Sequence, residues 1–147
     1  MKYLAVLEYG PENYSAHIPD VPGCIATGKT LELVMQSISE ALALHLEDGS
    51  APPVQTFDAE LLELADRDSV AWIEPAPMNP VSLELERILK VKRFSQTEIA
   101  ARMGIKRQSL HRMLSPFYWN HETETLRKFA AAVGMELQIS LREPVAA

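Results

Sequence analysis

Apolar and polar positions alternate with a period of two where the chain begins. Tyr3, Ala5, Leu7 and Tyr9 point one way and Leu4, Val6 and Glu8 the other; Tyr14, Ala16 and Ile18 repeat the pattern against Ser15 and His17. Gly10-Pro11-Glu12-Asn13 between them predicts a hairpin turn. Pro19-Asp20-Val21-Pro22-Gly23 breaks the chain, and Cys24 to Thr27 read as a third strand. The period then becomes helical. Leu31, Val34, Met35, Ile38, Ala41, Leu42 and His45 share one face of a helix that Thr30 caps and Gly49 ends. Leu33, Leu44 and Leu46 lie off that stripe; of the two readings, further core or contact surface, core is the expectation. Asp58 is placed to cap a short helix over Ala59 to Ala65, and Val70 to Ile73 predict a fourth strand with Trp72 interior.

Pro75-Ala76-Pro77-Met78-Asn79-Pro80 interrupts the pattern, since three prolines in six residues forbid a helix or a central strand. Beyond it the period is helical throughout. Val81 to Val91 form one helix, with Asn79-Pro80 as cap and first residue; Ser95 caps Gln96 to Met103. Gly104 turns the chain into Lys106 to Leu114, and a fourth helix starts near Thr123 and ends at Val133 before Gly134. SPFYWN, ahead of the fourth helix, is read as aromatic filling for the end of the bundle. Glu136-Leu137-Gln138-Ile139-Ser140-Leu141 alternates again like a strand.

These elements predict an α+β protein. Residues 1–74 form a small sheet packed on one main helix, 75–80 a proline-rich linker, and 81–147 an all-helical domain ending in a short strand. A lone strand behind a helical bundle cannot satisfy its own backbone groups. It must join the first domain's sheet or pair with another chain. Pairing between chains is the expectation taken here, with Leu137, Ile139 and Leu141 as dimerisation residues in a dimer or dimer of dimers.

Charge sharpens the division. The chain has 14 Lys+Arg and 20 Asp+Glu, but residues 1–80 hold three of the cations and thirteen of the acids, a net −10. Residues 81–147 carry +4, and between Arg87 and Arg112 eight cations face the single acid Glu98. Such asymmetry predicts two domains with partners of opposite sign. One cysteine, Cys24, excludes an intrachain disulfide and fits a reducing compartment. The short apolar start is not a signal peptide, and no apolar run reaches membrane-spanning length. The expectation is a cytoplasmic protein with no membrane partner.

SQTEIAARMGIKRQSLHRML has the spacing of a helix-turn-helix. Ala100 is small enough for two helices to cross, Gly104 takes the turn, and Ile99, Met103, Ile105, Leu110 and Met113 supply the buried side. Lys106, Arg107, Gln108, Ser109, His111 and Arg112 remain outward. Arg pairs with guanine and Gln with adenine through two hydrogen bonds each, while Ser and Lys reach phosphates. Lys106, Arg107 and Gln108, with His111 and Arg112, are therefore the base-reading candidates. Gln96 and Thr97, at a helix N-terminus, are candidates for a phosphate. A solvated helical hairpin is the bland alternative, and the joint match of small, glycine and apolar positions favours DNA.

Other reactive residues give weaker signals. Cys24 has no cationic neighbour in sequence and reads as a buried structural thiol. His17 and His45 stand apart from Cys24 and from each other, so no metal site is expected. Glu8, Asp20, Glu47 and Asp48 could compose a two-metal nuclease cluster. Acids at turns and helix ends are more often solvated or capping, so no catalytic residue and no cofactor is assigned.

Tyr3 to Tyr9, Tyr14 to Ile18, Pro19-Asp20-Val21-Pro22-Gly23-Cys24 and Gly28-Lys29-Thr30-Leu31-Glu32 together resemble the N-terminal domain of the HicB antitoxins. The helix-turn-helix and the GMELQISL ending resemble that family's helix-turn-helix variant, so the resemblance spans nearly the whole chain. The SPFYWN loop is longer and more aromatic than that pattern. The resemblance implies a truncated ribonuclease-H-like first domain without nuclease activity. It also implies a non-enzymatic antitoxin that covers the active site of a small basic, messenger-RNA-cleaving, HicA-like toxin. Its second domain would repress the shared operon by binding operator DNA. Residues 1–74 hold the toxin contact, at positions the sequence leaves open. Two rivals stand beside it: a one-component regulator with a small-molecule-sensing first domain, and a metal-dependent nuclease using Glu8 or Asp20.

Overall fold

The computed structural model describes residues 1–146. It divides into two compact units, the first Met1–Met78 and the second starting at Asn79.

In the first unit, strands β1 (Tyr3–Tyr9), β2 (Tyr14–His17) and β3 (Ile25–Gly28) precede helix α1 (Leu31–Glu47), and β4 (Ser69–Ile73) closes the sheet. The strand order is β3-β2-β1-β4, antiparallel at every junction. The register aligns Tyr3 with Ile73, Ala5 with Ala71 and Leu7 with Ala16, which gathers one residue in two onto a single face. Helix α1 packs Val34, Ile38 and Leu42 on that face, burying them with Tyr3, Ala5, Leu7, Ala16, Ile18, Val21 and Cys24.

Local chemistry sets the boundaries. Thr30 Oγ1 accepts the Leu33 N–H at 3.2 Å and starts α1. The loop from Ile18 to Cys24 closes on itself through Ile18 N–H to Cys24 O (3.1 Å) and Cys24 N–H to Val21 O (3.0 Å), which turns Val21 and Cys24 inward. Where β2 ends, Gln55 Oε1 accepts the Leu4 N–H at 2.9 Å, and Asp20 holds the same loop through the Thr56 N–H at 2.6 Å. Gly28 allows β3 to approach α1: a Cβ there would lie 2.7 Å from Val34 N.

Several expectations change. The third strand runs one residue later than expected, and the short helix is only a 3₁₀ turn, Ala59–Leu61. Leu61 is exposed there, so no buried apolar face holds a longer helix. Leu33 and Leu44 are 48% and 45% exposed rather than core, because the stripe Val34–Ile38–Leu42 already faces the sheet; Leu46 does pack against the core. Leu31 is also exposed. Trp72 is not interior but 55% exposed. Ala71 and Ile73 point to α1, so alternation sends Trp72 to the opposite face.

The second unit comprises α2 (Pro80–Lys92), α3 (Gln96–Met103), α4 (Arg107–Leu114) and α5 (Thr123–Ala132). Leu85, Leu89, Ile99, Ala100, Met103, Leu110, Met113, Leu114, Phe129 and Val133 form its core. A buried polar cluster ties the start of α2 to the end of α4. Asn79 Oδ1 caps α2 by accepting the Val81 N–H at 3.0 Å, and its Nδ2 donates to Tyr118 O at 2.9 Å. Ser82 Oγ donates to Met113 O at 2.9 Å. His121 Nε2 lies 2.8 Å from the same carbonyl, which can only accept, so Nε2 carries the proton and Nδ1 accepts from Asn79 Nδ2 at 3.2 Å. Tyr118 stands edge-on to His121 at 4.9 Å, and Phe117 and Tyr118 are half-buried while Trp119 is exposed. Two of the three aromatics therefore do fill the unit's end.

Glu136 to Leu141 form no strand among the described residues and do not extend the four-stranded sheet. Within one chain the alternating segment has no ladder to join. Leu137 is half-buried, whereas Ile139 and Leu141 are 64% and 97% exposed.

Two measurements check this packing. Gly28→Ala, which sets a methyl against α1's backbone, should cost about 1–3 kcal/mol in urea unfolding; a neutral result would contradict the β3–α1 approach. Burial raises the Cys24 thiol to about 11, so it stays protonated near neutrality. Alkylation at pH 8 should be slow in the folded chain and rapid in denaturant, and equal rates would contradict its burial.

Candidate nucleic-acid interface

α3 and α4 are short helices joined by Gly104-Ile105-Lys106. Ser95 Oγ accepts the Glu98 N–H at 3.1 Å and begins α3; Gly104, at φ +70°, ends it in a conformation that glycine adopts without strain. Ile105 N–H then donates to Ala100 O at 3.1 Å. Ala100 is buried at the crossing, and Ile99, Met103, Leu110 and Met113 are buried with it, Ile105 half so. Every position assigned to the buried side by spacing lies on it.

All six outward candidates, Lys106, Arg107, Gln108, Ser109, His111 and Arg112, are exposed. Thr97 is exposed and Gln96 half-buried at the first turn of α3. His111 Nδ1 lies 3.3 Å from Gln96 Oε1, so the phosphate candidate on α3 and a base-reading candidate on α4 meet.

The electrostatics of α4 set it apart. Its N-cap is Lys106, which makes no side-chain cap hydrogen bond, and its first turn contains no acid. The helix dipole already places about half a positive charge at that end. Lys106 and Arg107 add to this charge rather than offset it. A missing cap costs about 1 kcal/mol, and a cation at a helix N-terminus costs a few tenths more. An anion placed there would relieve both.

Most cations elsewhere in the unit are occupied. Arg87 pairs with Glu84 (2.6 Å), Lys90 with Glu86 (3.6 Å), Arg102 with Glu98 (2.8 Å) and Arg127 with Glu124 (3.9 Å). Lys92 donates to Val133 O at 2.8 Å, and Arg102 also donates to Ala132 O and stacks over Phe94. The Arg87 hydrogen bond holds the Glu84 carboxyl below the usual carboxylate range. These exposed pairs contribute little stability, but they offset much of the charge of α2 and α3, while on α5 Lys128 has no ion pair among the described residues. Among the described residues Lys106, Arg107 and Arg112 form no ion pair. The cationic excess between Arg87 and Arg112 therefore narrows to the α4 face and Arg93, whose left-handed φ of +60° ends α2. Arg93 as a helix terminator was not foreseen; no turn signal in the sequence marks it.

The rival sites are not assembled. Glu8 accepts from Ser15 Oγ (3.3 Å) and lies 3.9 Å from His17 Nδ1. Asp20 is taken up by Thr56, and Asp48 accepts the Ser50 N–H at 2.8 Å; the Ser50 hydroxyl first and this N–H second lower its pKa. His45 contacts Ser50 at 2.6 Å. Among the described residues no three His, Cys, Asp or Glu side chains gather where they could hold a metal. No helix is long and apolar enough to cross a membrane.

Residues 3–76 match the family described as HicB-like antitoxin of bacterial toxin-antitoxin system. Antitoxin HicB 1 of Photorhabdus laumondii is 30% identical over 150 aligned residues, covering 96% of this chain and 87% of that protein. A UPF0150 protein of Thermotoga maritima is 39% identical over 66 residues, 42% of this chain and 88% of its own length. A chain of a solved HicA3 and HicB3 toxin-antitoxin complex aligns with 52% of this chain and all of its own, at a TM-score of 0.43 and 21% identity. With half the chain inside the family's span and a relative aligned from nearly end to end, the chain belongs to the HicB-like antitoxins of bacterial toxin–antitoxin systems.

Proposed function

We propose that the chain is an antitoxin and autorepressor whose two units act on partners of opposite charge. The first unit, a truncated ribonuclease-H-like domain, binds and silences a small basic, messenger-RNA-cleaving, HicA-like toxin in the cytoplasm. The second reads operator DNA through α3 and α4, used as a helix-turn-helix with α4 in the major groove. The observation that carries this reading is the segregation of charge. A net −10 lies in residues 1–80, and Lys106, Arg107 and Arg112 stand free of acids on one short helix.

The roles follow from chemistry. Arg107 and Gln108, at the start of α4, read base edges, with Lys106, His111 and Arg112 beside them. Gln96, Thr97 and Ser109 fix the register on phosphates. Gln96 sets His111 through their 3.3 Å contact. The pair is therefore positioned before DNA arrives.

A two-fold operator needs two copies, and the C-terminal segment supplies a means. It walls a cleft of about 550 Å³ together with Val81, Leu85, Ile88, Leu126 and Phe129. Its backbone from Glu136 to Leu141 is unpaired. A second chain's equivalent segment would pair that backbone and cover Ile139 and Leu141.

Three outcomes are expected. Purification from the native host at natural expression should bring down a small basic protein at fixed ratio, whose RNA cleavage stops when this chain is added back; a chain that arrives alone would contradict the antitoxin role. Arg107→Ala should cost about 1–3 kcal/mol on the operator and relax specificity in fluorescence anisotropy; unchanged discrimination would remove Arg107 from the readout. Truncation after Gly134 should give monomers in sedimentation, and an intact dimer would contradict strand pairing.

A further inference from the structure

The sheet of the first unit has one helix and therefore one covered face. The register defines the other face residue by residue. Val70, Val6, His17 and Ile25 form a row across all four strands, Trp72 stands beside Leu4 in the next row, and Glu8, Ser15 and Thr27 complete a third. Leu4 and Val6 are buried at its centre, yet they lie outside the core beneath α1. Around them Ile25, Val70 and Trp72 are exposed. Val70 and Trp72 make an exposed apolar pair on β4, and Ile25 stands exposed at the opposite edge, beyond buried Val6 and the imidazole of His17. On α1, by contrast, exposed Leu31 and Leu33 lie in the first turn and Leu44 three turns beyond Leu33, with Ser37 and Glu40 between them. Isolated surface leucines of that kind are ordinary.

We propose that this sheet face is where the toxin docks, with Trp72 as the anchor, Val70 beside it and Ile25 at the far edge. The inference rests on the antitoxin reading above and names its site. Charge identifies the occupant. The patch sits in a unit with thirteen acids and three cations. Glu8 stands on the face itself, and Asp66 and Asp68 flank Arg67 just before β4. Of the cations, Lys2 is already paired with Glu74 at 3.7 Å. An apolar centre holding a tryptophan, rimmed by acids, matches the anatomy of a protein interface. It is complementary to a basic, RNA-binding surface and repels nucleic acid. Docking there would set this unit's carboxylates where the toxin otherwise holds RNA phosphates.

The test uses the full chain and, as probe, the small basic protein that co-purifies with it. Trp72→Ala and Ile25→Glu should each raise the toxin Kd at least about thirtyfold, with operator affinity and circular dichroism unchanged. Leu44→Glu, on the helix side, should stay within about twofold. Wild-type affinity in both sheet-face variants, or a loss confined to Leu44→Glu, would overturn the site while leaving the antitoxin role standing. A change in the chain's own oligomeric state with toxin binding intact would assign the face to a second copy and also overturn it. If the wild-type chain binds no such protein, the role and the site fall together. Ile25 is exposed at a sheet edge, so its variant remains informative even if Trp72→Ala unfolds.

Discussion

A four-stranded sheet has two faces, and this chain provides a single helix to cover them. That shortage organises the first unit. Helix α1 can seal only the face built by Tyr3, Ala5, Leu7, Ala16 and Ile73. The other face keeps Val70 and Trp72 exposed on β4 and Ile25 exposed on β3, around buried Leu4 and Val6. Covering such a patch gains roughly 25 cal/mol for each Å² removed from water. The driving force for association is therefore left in place by the folding itself. The loop tied down by Gln55 and Asp20 completes the end of β1.

Charge is partitioned as sharply as hydrophobic surface. In the second unit most cations are paired along their own helices or fixed to helix-end carbonyls, which leaves Lys106 and Arg107 as free positive charge at the start of α4 and Arg112 in its last turn. Local stability is sacrificed there, since α4 has neither a side-chain cap nor an acid in its first turn. The rest of the unit compensates. The buried cluster of Asn79, Ser82 and His121 fixes the end of α4 from α2, so the helix keeps its place without help from its N-terminus.

Much of this was legible in the sequence, and the exceptions are instructive. Thr30, Asn79, Ser95 and Gly104 act where capping chemistry places them, because each cap is a contact within a few residues. The buried side of α3 and α4 follows from spacing for the same reason. Trp72 was misplaced because its size argued for burial, whereas its face depends on which side of the sheet α1 covers, a long-range fact. Leu33 and Leu44 were misjudged alike: hydrophobicity says nothing of how wide a stripe the sheet can accept. The pairing of Gln96 with His111 and the closure of Asn79 on His121 join residues far apart in sequence, and no local signal announces either. The segment from Glu136 to Leu141 alternates as a strand does, yet strand structure requires a neighbour that one chain does not provide.

The central claim is that the two units serve two different partners. Hydrogen exchange on the full chain, measured alone, with toxin and with operator DNA, tests it most directly. The account predicts that toxin protects amides only within residues 1–78, strongest in β1 and β4, while operator DNA protects only the second unit, from Ser95 to Arg112. Overlapping footprints, or DNA protection in the acidic unit, would contradict it.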